Sequence, residues 1–289
     1  RETLTEKLDM MMSYMDRTGF LDNVDTLVVD CGQGGEGIYP PEWTQYGLDA
    51  EVGEDVFWGY EDYSQANFRQ TMQAKYGTIG AANAAWDKNY GSFDEVEVPM
   101  PGNGGGAFWE DYLLWYRDSK RQVIEEQILM FQAAVDKYTG GRIKLILYTP
   151  GRSYRDEDWQ AAVESGDGNG SIRLMCDNRF IIDMAKKYGC WLHGGYENRE
   201  DNIYYQAYMK ETGAEGIPIF GENSGQIDMV KRGTYAIQQL RKNGLAGIDL
   251  THSRWLFEKD NMTPVRNIEK FKENMRILRN YLRPGSANT

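Results

Sequence analysis

The chain has 289 residues, enough for one large domain with a full hydrophobic core or two small ones. Its formal net charge of −12 argues against nucleic acid and anionic membranes, which are bound mainly through Lys and Arg, and it fits a neutral ligand or a small cation. No apolar run approaches the ~18 residues needed to span a bilayer; there is no signal peptide, and the chain opens at Arg1 without an initiator Met, so a mature, trimmed or partial chain is expected.

Taken in order, residues 3–18 carry Leu4, Leu8, Met11, Met12 and Met15 at helical spacing and predict a helix that Gly19 ends. Residues 25–31 predict a short buried strand. A glycine-rich turn follows, and Pro40 and Pro41 forbid an immediate regular helix. Residues 42–107 read as an excursion with helices near 64–76 and 79–88 and a loop through 90–107. A long helix is predicted over 108–138.

A regular alternation then begins. Strands are predicted at 143–149, 190–195, 217–221 and 245–251. Helices are predicted at 171–188, 200–211, 226–243 and 265–282. Alternating strands and helices imply βα units around a parallel sheet, and apolar strands fit a sheet buried on both faces. The fold class is therefore α/β. The expected architecture is a (β/α)₈ TIM barrel, apparently partial, in which the five predicted strands are strands 4 to 8. The chain is expected to form a single barrel domain with an insertion subdomain over about 42–107. An open doubly wound sheet is the main alternative.

Cys31, Cys176 and Cys190 have no CxxC spacing, so neither a disulfide framework nor a zinc site is expected, and buried free thiols are the simpler reading. Neither a metal nor a cofactor is expected. Gly32-Gln33-Gly34-Gly35-Glu36-Gly37 has the form of a dinucleotide fingerprint, but the prolines that follow deny it the helix N-terminus such a site requires. Asp167-Gly-Asn169-Gly-Ser171 lacks the glycine and distal Glu of a calcium loop and reads as a flexible loop.

Polar residues gather where each strand gives way to its loop, the rim on which parallel α/β folds carry their active sites. Two acids stand out there, Glu36 after the first predicted strand and Glu222 after the fourth. If those are barrel strands 4 and 7, the two acids lie across the barrel mouth. Glycoside hydrolysis needs such a pair, one carboxyl to protonate the leaving oxygen and the other to act as nucleophile or as the base that activates water. Tyr148, His193, Tyr196 and Trp255 are candidates to line a sugar subsite, with Gln33, Tyr39 and Asn223 as further binding residues. Eight Trp and nineteen Tyr supply rings that can stack on sugars, although such rings also fill cores.

The segment from Gly32 through Glu36 to Tyr39-Pro40 resembles the GxxGExxYP segment of β-amylases (glycoside hydrolase family 14), which carries their catalytic acid. Gly221-Glu222-Asn223-Ser224 resembles their GENA segment, which carries the base. The excursion is similar to family 42 β-galactosidases, through Tyr76-Gly77, Asn83, Trp86, Tyr90, Phe93 and Pro99. The resemblance implies a barrel with Glu36 as general acid and Glu222 as nucleophile or base, acting on a carbohydrate. Retaining relatives usually have Asn directly before the acid, and here that position is Gly35. A retaining β-glycosidase of β-galactosidase type is the first expectation. The alternatives are an inverting β-amylase-like hydrolase and a non-catalytic carbohydrate-binding barrel fragment. A homo-oligomer or a companion N-terminal segment would cover an open sheet edge, and the resemblance suggests extracellular or periplasmic residence.

Overall fold

The computed structural model describes residues 2–29, 39, 57–150, 153–194, 199–221 and 247–248, together with positions 269, 272, 273, 276, 277 and 280. Helix α1 spans Glu2–Arg17, and strand β1 spans Thr26–Val29. Helices α2 (Asp62–Tyr76) and α3 (Ile79–Trp86) come next, then the long helix α4 (Ala107–Thr139). Strand β2 (Lys144–Tyr148) leads to α5 (Asp156–Ser165), the single turn α6 (Gly170–Arg173) and α7 (Asn178–Tyr188). The described chain continues through β3 (Trp191–Gly194), α8 (Arg199–Thr212), β4 (Ile219–Gly221) and β5 (Gly247–Ile248). The predicted helix at 226–243 lies outside the described residues; the described positions within 265–282 are helical.

All four strand pairings are parallel, and the sheet order is β1-β2-β3-β4-β5. A doubly wound sheet reverses its order at a switch point, whereas strands that follow one another in sequence build a barrel wall. The order therefore removes the doubly wound alternative. Alternate residues face opposite ways along each strand. Val29, Leu145, Leu147 and Leu192 pack into the core under the helices, with Leu8 and Met12 of α1, Ile124 and Ile128 of α4, and Ile181 and Ala185 of α7. Val28, Ile146, Tyr148, Trp191 and His193 take the opposite face, the barrel interior by this geometry. Val28 is 38% exposed on β1, the edge strand of the described sheet.

Helix α4 is the frame that joins this wall to the rest. Its 33 residues make a rod about 50 Å long. Gly140 ends it in the left-handed conformation that an L side chain resists (φ +59°). Its buried stripe repeats every three or four residues. Trp109, Tyr112, Leu113 and Tyr116 belong to a second, aromatic core with Phe57, Phe68, Trp86 and Ile172, while Ile124, Ile128 and Val135 belong to the sheet core. One amphipathic helix thus enters two hydrophobic cores.

Two stretches differ from the sequence expectations. Residues 150–170 contain α5, which the glycines on either side obscure. The predicted helix at 171–188 is two elements, because Asp177 accepts from the backbone N–H of Phe180 at 3.2 Å and caps a new start, while Met175 takes φ +51° and breaks the first run. The loop around Asp167 is held in place: the Asp167 carboxylate receives Arg173 Nη2 at 2.8 and 2.9 Å, and Asn169 caps α6. Among the described residues no helix is long and apolar enough to cross a membrane.

Candidate active site

The C-terminal ends of β2 and β3 give the best-defined part of the rim. Tyr148 pairs in register with His193, and their rings stack at 3.9 Å between centroids with planes 25° apart. His193 is buried, while Tyr148 is half-buried at the inner face. Trp191, two residues before His193 on β3, stacks at 5.4 Å on Phe220, the in-register partner of His193 on β4. The interior face near the rim thus carries stacked ring pairs that span β2, β3 and β4.

The level above is fixed by small groups. The Thr149 backbone N–H donates to the His193 carbonyl at 2.7 Å, and the Thr149 hydroxyl donates to the same oxygen at 3.1 Å. A Cβ on Gly194 would come within 2.7 Å of the Thr149 hydroxyl, so the pairing requires glycine there. Beyond Thr149, the Pro150 carbonyl accepts from Asn178 Nδ2 at 3.0 Å. The Tyr205 hydroxyl of α8 also touches Asn178. The exit of β2 is thereby tied to two following helices.

A second tie lies behind it. Asp177 is buried and accepts from Arg121 Nε and Nη2 at 2.9 and 2.6 Å and from the Tyr154 hydroxyl at 3.0 Å. Burial, then the Asp177 charge, pushes the Tyr154 phenol well above its ordinary range; the Asp177 carboxylate also holds the Arg121 guanidinium in its charged form. This cluster links α4 to the segment that precedes α5 and to the start of α7. Asp177 and Asn178 were not singled out as site residues in the sequence, although an Asp-Asn pair before an apolar helical run is a start signal.

The sequence candidates separate into three groups. Tyr148 and His193 come together as described. Tyr39 lies elsewhere: its ring stacks on Tyr116 of α4 at 4.1 Å, its hydroxyl donates to the Tyr116 carbonyl at 3.0 Å, and Lys120 Nζ sits 5.3 Å from its ring centroid. Burial and the nearby Glu61 charge raise its pKa strongly. Tyr39 is thereby anchored to the aromatic core, with its hydroxyl already engaged. Gln33, Glu36, Tyr196, Glu222, Asn223 and Trp255 lie outside the described residues. In sequence, Glu222 directly follows Gly221, the last residue of β4, and Glu36 follows β1 by seven positions. Among the described residues no group of three or more His, Cys, Asp or Glu side chains is gathered to hold a metal ion. Cys176 and Cys190 are buried and not joined in a disulfide, and burial pushes the Cys190 thiol up to about 11.

A known catalytic domain shares this fold. The catalytic domain of β-amylase from Paenibacillus polymyxa superposes with a TM-score of 0.67 over 97% of this chain and 69% of that one, at 18% identity. The chain has a TIM-barrel-type fold. Residues 41–162 match the glycoside hydrolase 42 family, described as β-galactosidase. In sequence, the chain is 29% identical over 126 residues to a β/α-amylase of Paenibacillus polymyxa, spanning 41% of this chain and 10% of that protein. It is 28% identical over 126 residues to a β-amylase of Cytobacillus firmus, spanning 41% of this chain and 26% of that protein. The chain therefore spans about a quarter or less of the length of these two relatives. Its resemblance to both β-amylases and β-galactosidases holds.

Proposed function

We propose that the chain carries the catalytic face of a glycoside hydrolase, with Glu36 as general acid and Glu222 as its opposing carboxylate, on a barrel domain into which residues 42–107 are inserted. The observation that carries this reading is the strand order. β1 and β4 are separated by β2 and β3, and the two acids follow β1 and β4 in sequence. Strands three apart in an eight-stranded barrel face each other across its mouth, the separation that two carboxyls flanking a scissile bond require. Tyr148, half-buried on β2 and backed by the buried His193 ring on β3, is the ring proposed to meet a sugar held between the acids. Gln33, Tyr196, Asn223 and Trp255 are the further residues proposed to line that subsite, with Tyr39 supporting it from the aromatic core.

The chemistry follows from an unequal pair of carboxyls. The acid must keep its proton near neutrality and the other group must not, so their surroundings have to push the two pKa values apart. We favour the inverting form, in which Glu222 activates a water. Gly35 stands where retaining relatives have the Asn that holds the sugar 2-hydroxyl, and Glu222-Asn223-Ser224 has the β-amylase pattern. The likeness to proteins named β-amylase supports the same choice, with an α-linked glucan as substrate. The retaining reading rests on the β-galactosidase match over residues 41–162.

Proton NMR of the first product formed from maltopentaose and from 4-nitrophenyl β-galactoside tests both. Maltopentaose turnover with inverted anomeric configuration supports the favoured reading. Galactoside turnover with retention replaces it by the second. Absence of turnover on either substrate counts against both forms.

A further inference from the structure

Helices α2 and α4 do not close against each other along their whole length. Between them runs a trough in two linked compartments, of about 780 and 390 Å³, which share Asn67, Trp115, Ser119 and Gln122. Trp115 forms the shared floor, and its indole N–H is fixed on Asn67 Oδ1 at 2.8 Å. Gly59 lies against that indole, where a Cβ would approach within 2.9 Å of two ring atoms, so a larger residue there would disturb the floor. At one end the wall is aromatic, with Trp58 and with Tyr63, whose side chain is almost fully exposed. Neither Tyr148 nor His193 lines this trough, whereas Tyr39, stacked on Tyr116, borders it.

The lining sets the chemistry of an occupant. Glu61, Asp118 and Glu126 border it. The cation at its far end, Lys75, is engaged with Asp111. Among the described lining residues the acids outnumber the one cation, Lys75, so anionic ligands such as phosphates or acidic glycans meet an acidic border. The other polar groups are amides and hydroxyls, which both donate and accept, beside rings and the apolar side chains of Met72, Leu114 and Val123. Rings for C–H faces, together with amide and carboxylate partners for hydroxyls, suit an uncharged polyol. The elongated shape suits several linked sugar units more than one.

We propose that the α2–α4 trough is a second saccharide-binding site, which holds a neutral stretch of polymeric substrate away from the barrel mouth. This rests on the glycoside hydrolase reading above. Its function would be to raise affinity for a polymer without touching the bond being cleaved, as linked sites do.

Affinity electrophoresis of the full chain in gels containing soluble starch or β-1,4-galactan tests the site directly. Tyr63→Ala removes the exposed ring, and Ser119→Trp fills the trough. Turnover of short aryl glycosides and thermal melting are followed in parallel. The expected result is retardation by at least one polymer, weakened about tenfold in both variants, with short-substrate turnover unchanged. Retardation that persists unchanged in both variants overturns the site, and so does a native chain that neither polymer retards. If short glycosides are turned over in those cases, the hydrolase reading stands without the trough. If the native chain turns over no glycoside, that reading fails separately.

Discussion

The indole N–H of Trp86 donates to Asp111 Oδ2 at 2.8 Å, and the Tyr76 hydroxyl donates to the same oxygen at 2.6 Å. Lys75 pairs with the other carboxylate oxygen. Asp111 is only 3% exposed. Tyr76 and Trp86 are two of the residues through which the sequence resembles family 42, and their role is to hold α2 and α3 onto α4. A third, Asn83, exchanges two hydrogen bonds with the backbone of Tyr90 at 2.8 and 2.9 Å. Those motif residues are thus scaffold, not active site.

Replacing Asp111 with Ala leaves a buried indole N–H and a phenol without their acceptor. The substitution is expected to destabilise the fold by about 3 kcal/mol. Chemical denaturation followed by Trp fluorescence would measure it. A loss below about 1 kcal/mol would mean that water or a neighbour takes over the carboxylate's role.

Gly166 makes a different demand. It has φ +74°, and a Cβ on it would come within 2.2 Å of the Gly104 carbonyl carbon. Its carbonyl accepts from Gly102 N–H at 2.8 Å, which docks the end of α5 on the loop before α4. Gly166→Ala is expected to cost about 2 kcal/mol or more, combining left-handed strain with a backbone clash. Gly140→Ala is the control, since its φ is +59° but nothing lies within 4 Å of its Cβ. It should cost about 1 kcal/mol. Equal losses at the two positions would show that the clash is relieved by backbone movement.

The aromatic core predicts an alkaline limit. Tyr39, Tyr112, Tyr116 and Tyr154 are all raised above the ordinary value of 10.0, in each case chiefly by burial. Below pH 10 they are neutral in folded and unfolded chains alike and add no pH dependence. Above pH 10 the unfolded chain gives up protons that the folded chain keeps, so stability falls as pH rises. Absorbance at 295 nm should show a group of tyrosines that ionise only as the fold is lost. Smooth titration of every tyrosine near pH 10 in the folded state would contradict this.

Much of the fold was legible because its strands are short apolar runs between glycines. β2, β3 and β4 lie within two residues of where the pattern puts them. The long helix 108–138 became Ala107–Thr139 for the same reason, since its buried stripe keeps one period through both cores. The split at Asp177 was not legible, because Ile172 to Ile182 keeps a helical apolar rhythm and the break depends on a side-chain cap. The setting of Tyr39 was hidden for another reason. Its neighbour Glu36 suggested the site, but its ring partner, Tyr116, is 77 residues away. At the rim, Tyr148 and His193 were legible as strand-end residues, and their stacking follows from parallel register. The ties from Asn178 and Tyr205 depend on how helices pack, which residue spacing alone does not encode.

The central claim, that Glu36 and Glu222 form the working pair, is tested most directly by the hydrolysis rate of the full chain and its Glu36→Gln and Glu222→Gln variants, all shown to be folded. On whichever glycoside the native chain cleaves, each variant should lose about a thousandfold in turnover or more, with little change in melting temperature. Loss of less than about tenfold in either folded variant would contradict the claim and move the catalytic carboxyl elsewhere on the rim.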